Sequence, residues 1–284
     1  MTQCARSRVV FLACGVLTVF YFSSRGFRSP QPENASKLPP YVKLEQRYFV
    51  SQQYQFTFCT TDDFLLDYTA GIACWLHNWK EFRRKNMALY YYNHSNSICQ
   101  NDDSHFPPSK MTSLLRASKN SKWMNLIILQ EPIYRFLRAY DSRCVNSLRN
   151  CFSCTTMTCV LNIILQRLAN IAKGATPTPF DMEFVPQNWK CNNLPDSFRT
   201  ENVVLDPWDE SKRDKFLHDL VNLLYSNLAP SRVVNGIVKE SRDWFDDRIN
   251  AQQYTFLVDE LRQPENWRLF HSIYANDYAL FLMD

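Results

Sequence analysis

The sequence predicts an α/β fold, a parallel sheet flanked by helices, and three observations predict it. Residues 123–129, WMNLIIL, are a continuous apolar run of strand length, the pattern of a central parallel strand buried on both faces. From Leu65, apolar residues recur at 65, 68, 72, 75, 76 and 79, which is helical spacing. Strand-like and helix-like segments alternate along the chain, the order that builds parallel sheets.

Taken in order, the folded domain begins near Tyr48, and YQFTFC ends a first strand at Cys59. TTDDF is a short loop before the first helix. Phe82 extends that helix's apolar face, and Arg83, Arg84 and Lys85 suit its negative C-terminal end. Residues 90–110 are polar and form a loop around Cys99. After the central strand the chain breaks at Gln130-Glu131-Pro132, and an amphipathic helix runs from about Ile133 to Cys144. Thr156 to Ala172 reads as a helix ended by Gly174. TPTPF is loop, NVVLD (202–206) a further strand, and Ser211 is placed to cap a helix reaching about Asn227, before Pro230. A last, aromatic helix covers Asn266 to Leu282.

The 284 residues suit one large domain or two small ones, and a hydrophobic share of 45% supplies a sizeable core. A net charge of +4 fits a chain that meets anionic ligands without calling for nucleic acid, and no nucleic-acid partner is expected. The five glycines are too scattered for G-x-G-x-x-G or a Walker loop.

Residues 9–22 are uncharged and apolar, with Arg6 and Arg8 before them and Arg25 and Arg28 after. The run is short for a span, which needs about 17–25 residues, but a thin bilayer relaxes that need. The expected organisation is therefore a short tail (1–8), a signal anchor (9–24), a proline-rich stem (25–47) and an exported domain (48–284). The alternative is a cleaved signal peptide and secretion, although no A-x-A site follows. Asn34-Ala35-Ser36 and Asn93-His94-Ser95 are glycosylation sequons. Eight cysteines lie beyond the apolar run, an even number that suggests disulfides. Zinc at Cys151-x-x-Cys154 is the competing reading, but the second ligand pair is missing and no metal is expected.

Chemistry is expected at two strand–loop–helix junctions, 59–65 and 129–133. In a parallel sheet both open at the carboxyl edge, where helix N-termini favour anions. The run Pro132-Ile133-Tyr134-Arg135-Phe136, then Cys144, Cys151-x-x-Cys154, Met157-Thr158-Cys159, and later Phe184-x-Pro186-Gln187-x-Trp189-x-Cys191, resembles the Golgi carbohydrate sulfotransferases. The closest likeness is to the nematode-expanded branch related to chondroitin sulfotransferases. YANDYALF (274–281) resembles that family's closing segment, and the likeness covers roughly residues 48–284.

The resemblance implies a P-loop-like sulfotransferase fold in the Golgi lumen. It implies 3′-phosphoadenosine 5′-phosphosulfate (PAPS) as sulfuryl donor and a chondroitin-like glycan as acceptor. The family's first loop carries Pro-Lys and then Ser or Thr. Its second junction reads Arg-Asp-Pro-x-x-Arg-Phe with a Ser three residues on. Here the Pro-Lys pair falls on Asp62 and Asp63, and the Ser/Thr positions on Leu66 and Asp67. At the second junction the Arg falls on Gln130, the Asp on Glu131 and the Ser on Arg138, while the family's His before Phe184 is Glu183.

These departures have a size. Losing a charged hydrogen bond at Gln130 costs about 1.5–3 kcal/mol. Arg138, three residues after Arg135 on the same helical face, offers a replacement charge or is a solvated surface residue. Asp63 reverses a sign, and two unit charges 4 Å apart interact by about 4 kcal/mol at an effective dielectric of 20. Asp62 and Asp63 also read as helix caps. Gln130, Arg135 and Arg138 are thus the candidate donor-binding residues, Asp63 stands at the family's lysine position, and Glu183 is the candidate base. Two readings follow: a divergent sulfotransferase, or a non-catalytic glycan-binding or partner protein on the same fold.

Overall fold

The structure, a computed structural model, describes residues 38–44, 48–61, 63–89, 92, 99, 105–106, 123–146, 151–191 and 199–281. The N-terminal apolar run, both sequons and Asp62 lie outside them. Contacts divide the chain into residues 1–34 and a folded unit from Ala35 to Asp284. No helix among the described residues is long and apolar enough to cross a membrane.

Five strands form one sheet: β1 (Tyr48–Ser51), β2 (Phe56–Thr60), β3 (His105–Phe106), β4 (Met124–Gln130) and β5 (Arg199–Leu205), in the order β3-β1-β2-β4-β5. β2, β4 and β5 are parallel, as expected for this α/β class. β1 and β3 are not: β1 pairs antiparallel with both β2 and β3. The expected first strand is therefore a hairpin. Gln55 turns the chain at a positive φ of 56°, and Asn227 holds the turn by donating to the Tyr54 carbonyl at 3.1 Å. A side-chain clamp from 173 residues away leaves no local mark in the sequence.

The helices are α1 (Leu66–Arg84), α2 (Pro132–Tyr140), α3 (Met157–Ala172), α4 (Pro179–Phe184), α5 (Glu210–Ser226), α6 (Ser231–Arg248), α7 (Thr255–Leu261) and α8 (Pro264–Phe281). A π-helical turn (Asp141–Val145) continues α2, and a 3₁₀ turn covers Gln187–Trp189. Thr156 caps α3 as its position predicts, accepting from Cys159 N. Asp209, not Ser211, caps α5, because its carboxylate accepts from Ser211 N. Part of TPTPF is helical: Pro179 opens α4 behind a Thr178–Asp181 capping box. No element is read in sequence between Pro230 and Asn266, yet α6 and α7 lie there. The buried face of α6 (Val233, Val234, Ile237, Ser241, Trp244, Phe245) is interleaved with charge and broken by Gly236.

Strand parity decides which side chains enter which core. Phe56, Phe58, Leu126, Ile128, Val203 and Leu205 point into the main helix-covered core. Cys59, Ile127, Leu129 and Val204 point into a smaller cluster with Tyr48, Trp123 and Cys191. By the same parity Gln130 shares the face of Leu126 and Ile128 at the strand's carboxyl end.

All eight cysteines past the apolar run are paired: Cys59–Cys191, Cys74–Cys99, Cys144–Cys151 and Cys154–Cys159. Cys151 and Cys154 thus belong to different bridges, and neither offers a thiolate for zinc. Part of the stretch read as stem is fixed on the domain. Trp189 Nε1 donates to Pro39 O at 2.8 Å, and Asn276 Nδ2 to Leu38 O at 2.9 Å.

Candidate functional site

The carboxyl ends of β2 and β4 stand side by side, and one side chain ties them. Gln187, fully buried, donates from Nε2 to Gln130 O (2.7 Å). Its Oε1 accepts from Gln130 N (2.9 Å) and from the Thr61 hydroxyl (2.9 Å). The amide therefore pairs with the end of β4 as a neighbouring strand would, and fixes the first loop to the second junction.

Beneath it lies a second tie. Asp277 on α8 is buried and accepts from Gln187 N (3.0 Å) and Asn188 N (2.9 Å), capping the 3₁₀ turn. Tyr278 donates to Glu131 Oε1 at 3.2 Å, and Trp208 Nε1 to Oε2 at 3.0 Å. Glu131 spends the same two oxygens on Ile133 N and Tyr134 N, so it caps α2 where the family has aspartate. Burial pushes the Glu131 carboxyl up, against the pull of those N–H groups. Gln187 and Asn188 from the first quoted motif and Asp277 and Tyr278 from YANDYALF thus meet, in space, under the two junctions.

Burial also raises Asp277, from an ordinary value of 3.8 to about 6, against its two backbone donors and the nearby Arg135. A carboxyl raised on folding stabilises fully below its unfolded value, and that contribution is lost as pH rises through the folded one. The wild-type chain is therefore expected to lose more stability than Asp277→Asn between about pH 4 and 6. Urea unfolding of both proteins across that window checks it; parallel curves would show that Asp277 does not titrate there.

The structure separates the candidate residues. Gln130 is fully buried, and its side-chain Nε2 and Oε1 have no hydrogen-bond partner among the described residues. Arg135 and Arg138 lie in different surroundings. Arg135 is 1% exposed and lies near Tyr274 and Asp277, inside the core. Arg138 is half-buried, with its guanidinium 4.5 Å from the centre of the Phe64 ring in the first loop. It is thus not a solvated surface charge, and Phe64 is backed by Trp244 at 5.1 Å. Asp63 is exposed. Its carboxylate does not cap α1, whose N-cap is Leu65 without a side-chain bond; only the Asp63 carbonyl takes part, accepting from Leu66 N.

Sequence reasoning missed Arg143. It sits on the π-helical turn and binds both oxygens of Glu183. Its guanidinium is held above its ordinary range, first by Glu183 and more weakly by Asp63. With both oxygens engaged, Glu183 is a tie between the turn and α4 before it is a base. No local signal marks Arg143, because it follows Arg138 by five residues on a helix whose last turn is widened.

Two strand–loop–helix junctions locked at a carboxyl edge, with the Arg138 guanidinium brought to the first loop, define an α/β protein whose candidate site lies at that edge. The Sulfotransferase family model matches residues 46–283, and the chain belongs to that family. It is 29% identical over 161 residues to "Uncharacterized protein C18B2.2" of Caenorhabditis elegans, covering 54% of this chain and 45% of that one. It is 25% identical over 159 residues to "Putative sulfotransferase vep-2" of the same organism, covering 53% of this chain and 49% of that one. The chain spans about half the length of these curated relatives. No solved structure matches it.

The family normally uses PAPS, and the two junctions fit it unequally. At the second, the orphaned Gln130 amide and the Arg138 guanidinium are a donor and a cation of the kind a phosphate takes. At the first, Asp63 presents an exposed carboxylate, which disfavours an anion there. Among the described residues, no group of three His, Cys, Asp or Glu side chains is placed to hold a metal.

Proposed function

We propose that the chain is a divergent PAPS-dependent carbohydrate sulfotransferase, acting in the Golgi lumen on a chondroitin-like glycan. The observation that carries this reading is Arg138 stacked on Phe64. It returns to the first loop a positive charge that the loop's own sequence has lost. Gln130 and Arg138 would bind the nucleotide's 3′-phosphate, and Arg143, once released from Glu183, would face the sulfonate. The bound donor supplies the sulfuryl group; the chain's part is to orient it and to keep its charge compensated. Four disulfides favour an oxidising compartment, in keeping with export and membrane anchorage through residues 9–24.

A second reading, a non-catalytic glycan-binding or partner protein, is favoured by one specific observation: Glu183 occupies Arg143, leaving Asp63 beside an already neutralised cation.

Adenosine 3′,5′-bisphosphate separates the two. At about a hundred times its dissociation constant a ligand stabilises by about 2.7 kcal/mol, a rise of roughly 5–10 °C for a domain of this size. The full chain is expected to show that rise and Arg138→Ala to lose it. No shift in the wild-type protein at millimolar nucleotide would remove the donor-binding reading and leave the second.

A further inference from the structure

A cleft of about 390 Å³ opens where the C-terminal end of α1 meets α6. Arg83, Asn86, Arg232, Lys239 and Glu240 line it, over Trp75. It lies away from the junctions, because α1 starts at the carboxyl edge and the cleft is at its other end, past a kink at Asn78.

The floor is built rather than incidental. A Cβ on Gly236 would fall 2.3 Å from Trp75 Cζ2, so only glycine lets the indole press against α6. Trp75 Nε1 then donates to Val233 O at 3.2 Å. A glycine inside a helix costs about 1 kcal/mol relative to alanine, so the close approach offsets a real penalty.

The rim is positive. Arg83 and Arg232 are exposed and have no ion-pair partner among the described residues. Arg232 is held in place by the Trp79 ring, 4.7 Å from its guanidinium. Lys239 has only a long contact with Asp243, 3.6 Å and exposed. Arg84 and Lys85 nearby are served by Glu81. Glu240 offsets only part of the rim, one carboxylate against Arg83, Arg232 and Lys239, and one of its oxygens is engaged by Leu89 N. Its other oxygen and the Asn86 amide are groups that meet hydroxyls.

We infer that this cleft binds an acidic oligosaccharide, its sulfate or carboxylate groups on Arg83, Arg232 and Lys239 and its hydroxyls on Glu240 and Asn86. The mixture of cations with a carboxylate and an amide favours a hydroxyl-rich anion over a bare phosphate, because Glu240 and Asn86 find hydroxyl partners only on the former. The inference rests on the proposed glycan reading for its ligand. It adds a second grip, so that a polymeric acceptor is held at both ends of α1.

The test uses the full chain and a chondroitin sulfate hexasaccharide, with a neutral chitin hexasaccharide and a single-stranded oligonucleotide as comparison probes. The sulfated hexasaccharide is expected to bind, the neutral one not, and Arg83→Gln with Arg232→Gln to weaken binding by about tenfold or more. Both arginines are exposed, so the double variant should keep its melting temperature. Unchanged affinity in that variant would overturn the inference, as would equal binding of the oligonucleotide, or no binding of the hexasaccharide at all. Stabilisation by adenosine 3′,5′-bisphosphate reports on the other end of the molecule. It should survive the double variant, and its absence would count against the donor site alone.

Discussion

Gln187→Leu is expected to cost about 3–5 kcal/mol, a large share of the roughly 5–15 kcal/mol that holds a domain together. Leucine fills similar space but leaves Gln130 N–H and C=O unpaired in the core. Thr61 fares better, since its hydroxyl also lies 3.4 Å from Ile128 O and can turn to it. Each buried group left without a partner carries a desolvation penalty of about 1–3 kcal/mol. Urea unfolding at neutral pH checks the figure. Gln187→Glu should recover little, because it keeps the acceptors for Thr61 and Gln130 N but sets a negative oxygen against Gln130 O. If leucine were neutral, water would have to reach both Gln130 groups, and the lock would not be a lock. The same variant should weaken nucleotide stabilisation, since the first loop and the end of β4 lose their common anchor.

Removing the bridge between Cys59 and Cys191 is expected to be of similar size. It spans 132 residues and encloses the other three disulfides. Those shorten the free loop to roughly a hundred residues, for which the chain-entropy relation gives about 4.7 kcal/mol. Cys59→Ala with Cys191→Ala avoids exposing reactive thiols, and both positions are buried in the smaller cluster. Cys154→Ala with Cys159→Ala, closing only a 5-residue separation, should cost about 2 kcal/mol by the same relation. Denaturant midpoints of the two double variants give the comparison. Equal losses would mean that unfolded-state entropy is not what the long bridge controls.

Much of the frame is legible without coordinates. β4 announces itself because a strand covered on both faces needs no alternation, and its seven residues are all buried. α1 and α3 show because their apolar spacing is local, and Thr156 lies where a cap must. The β1–β2 hairpin, α4 and α6 do not show. The hairpin turn is held by a distant asparagine, and α6 is amphipathic only once Gly236 and Ser241 are known to face inward.

The site is legible in kind but not in arrangement. Arg135 and Arg138 are three apart, and helical spacing puts them on one side. That side straddles the core boundary, so one is sealed beside Asp277 and the other is set on Phe64. Glu183 presents itself as a free carboxylate, and only the approach of the π-helical turn brings Arg143 onto both its oxygens.

The sequence by itself determined the α/β class, the paired cysteines and the place of the two strand–loop–helix junctions. These follow from periodicity, residue count and residue type, all of which act over a few neighbouring residues. The tertiary structure alone decided which charges meet. Glu183 lies with Arg143, Arg138 with Phe64, and Gln187 with both strand ends, across separations of 40, 74 and 126 or 57 residues. Hydrogen bonds need contact, and screened charge interactions fall off over about 10 Å. They are therefore set by how the sheet and helices stack and not by order along the chain.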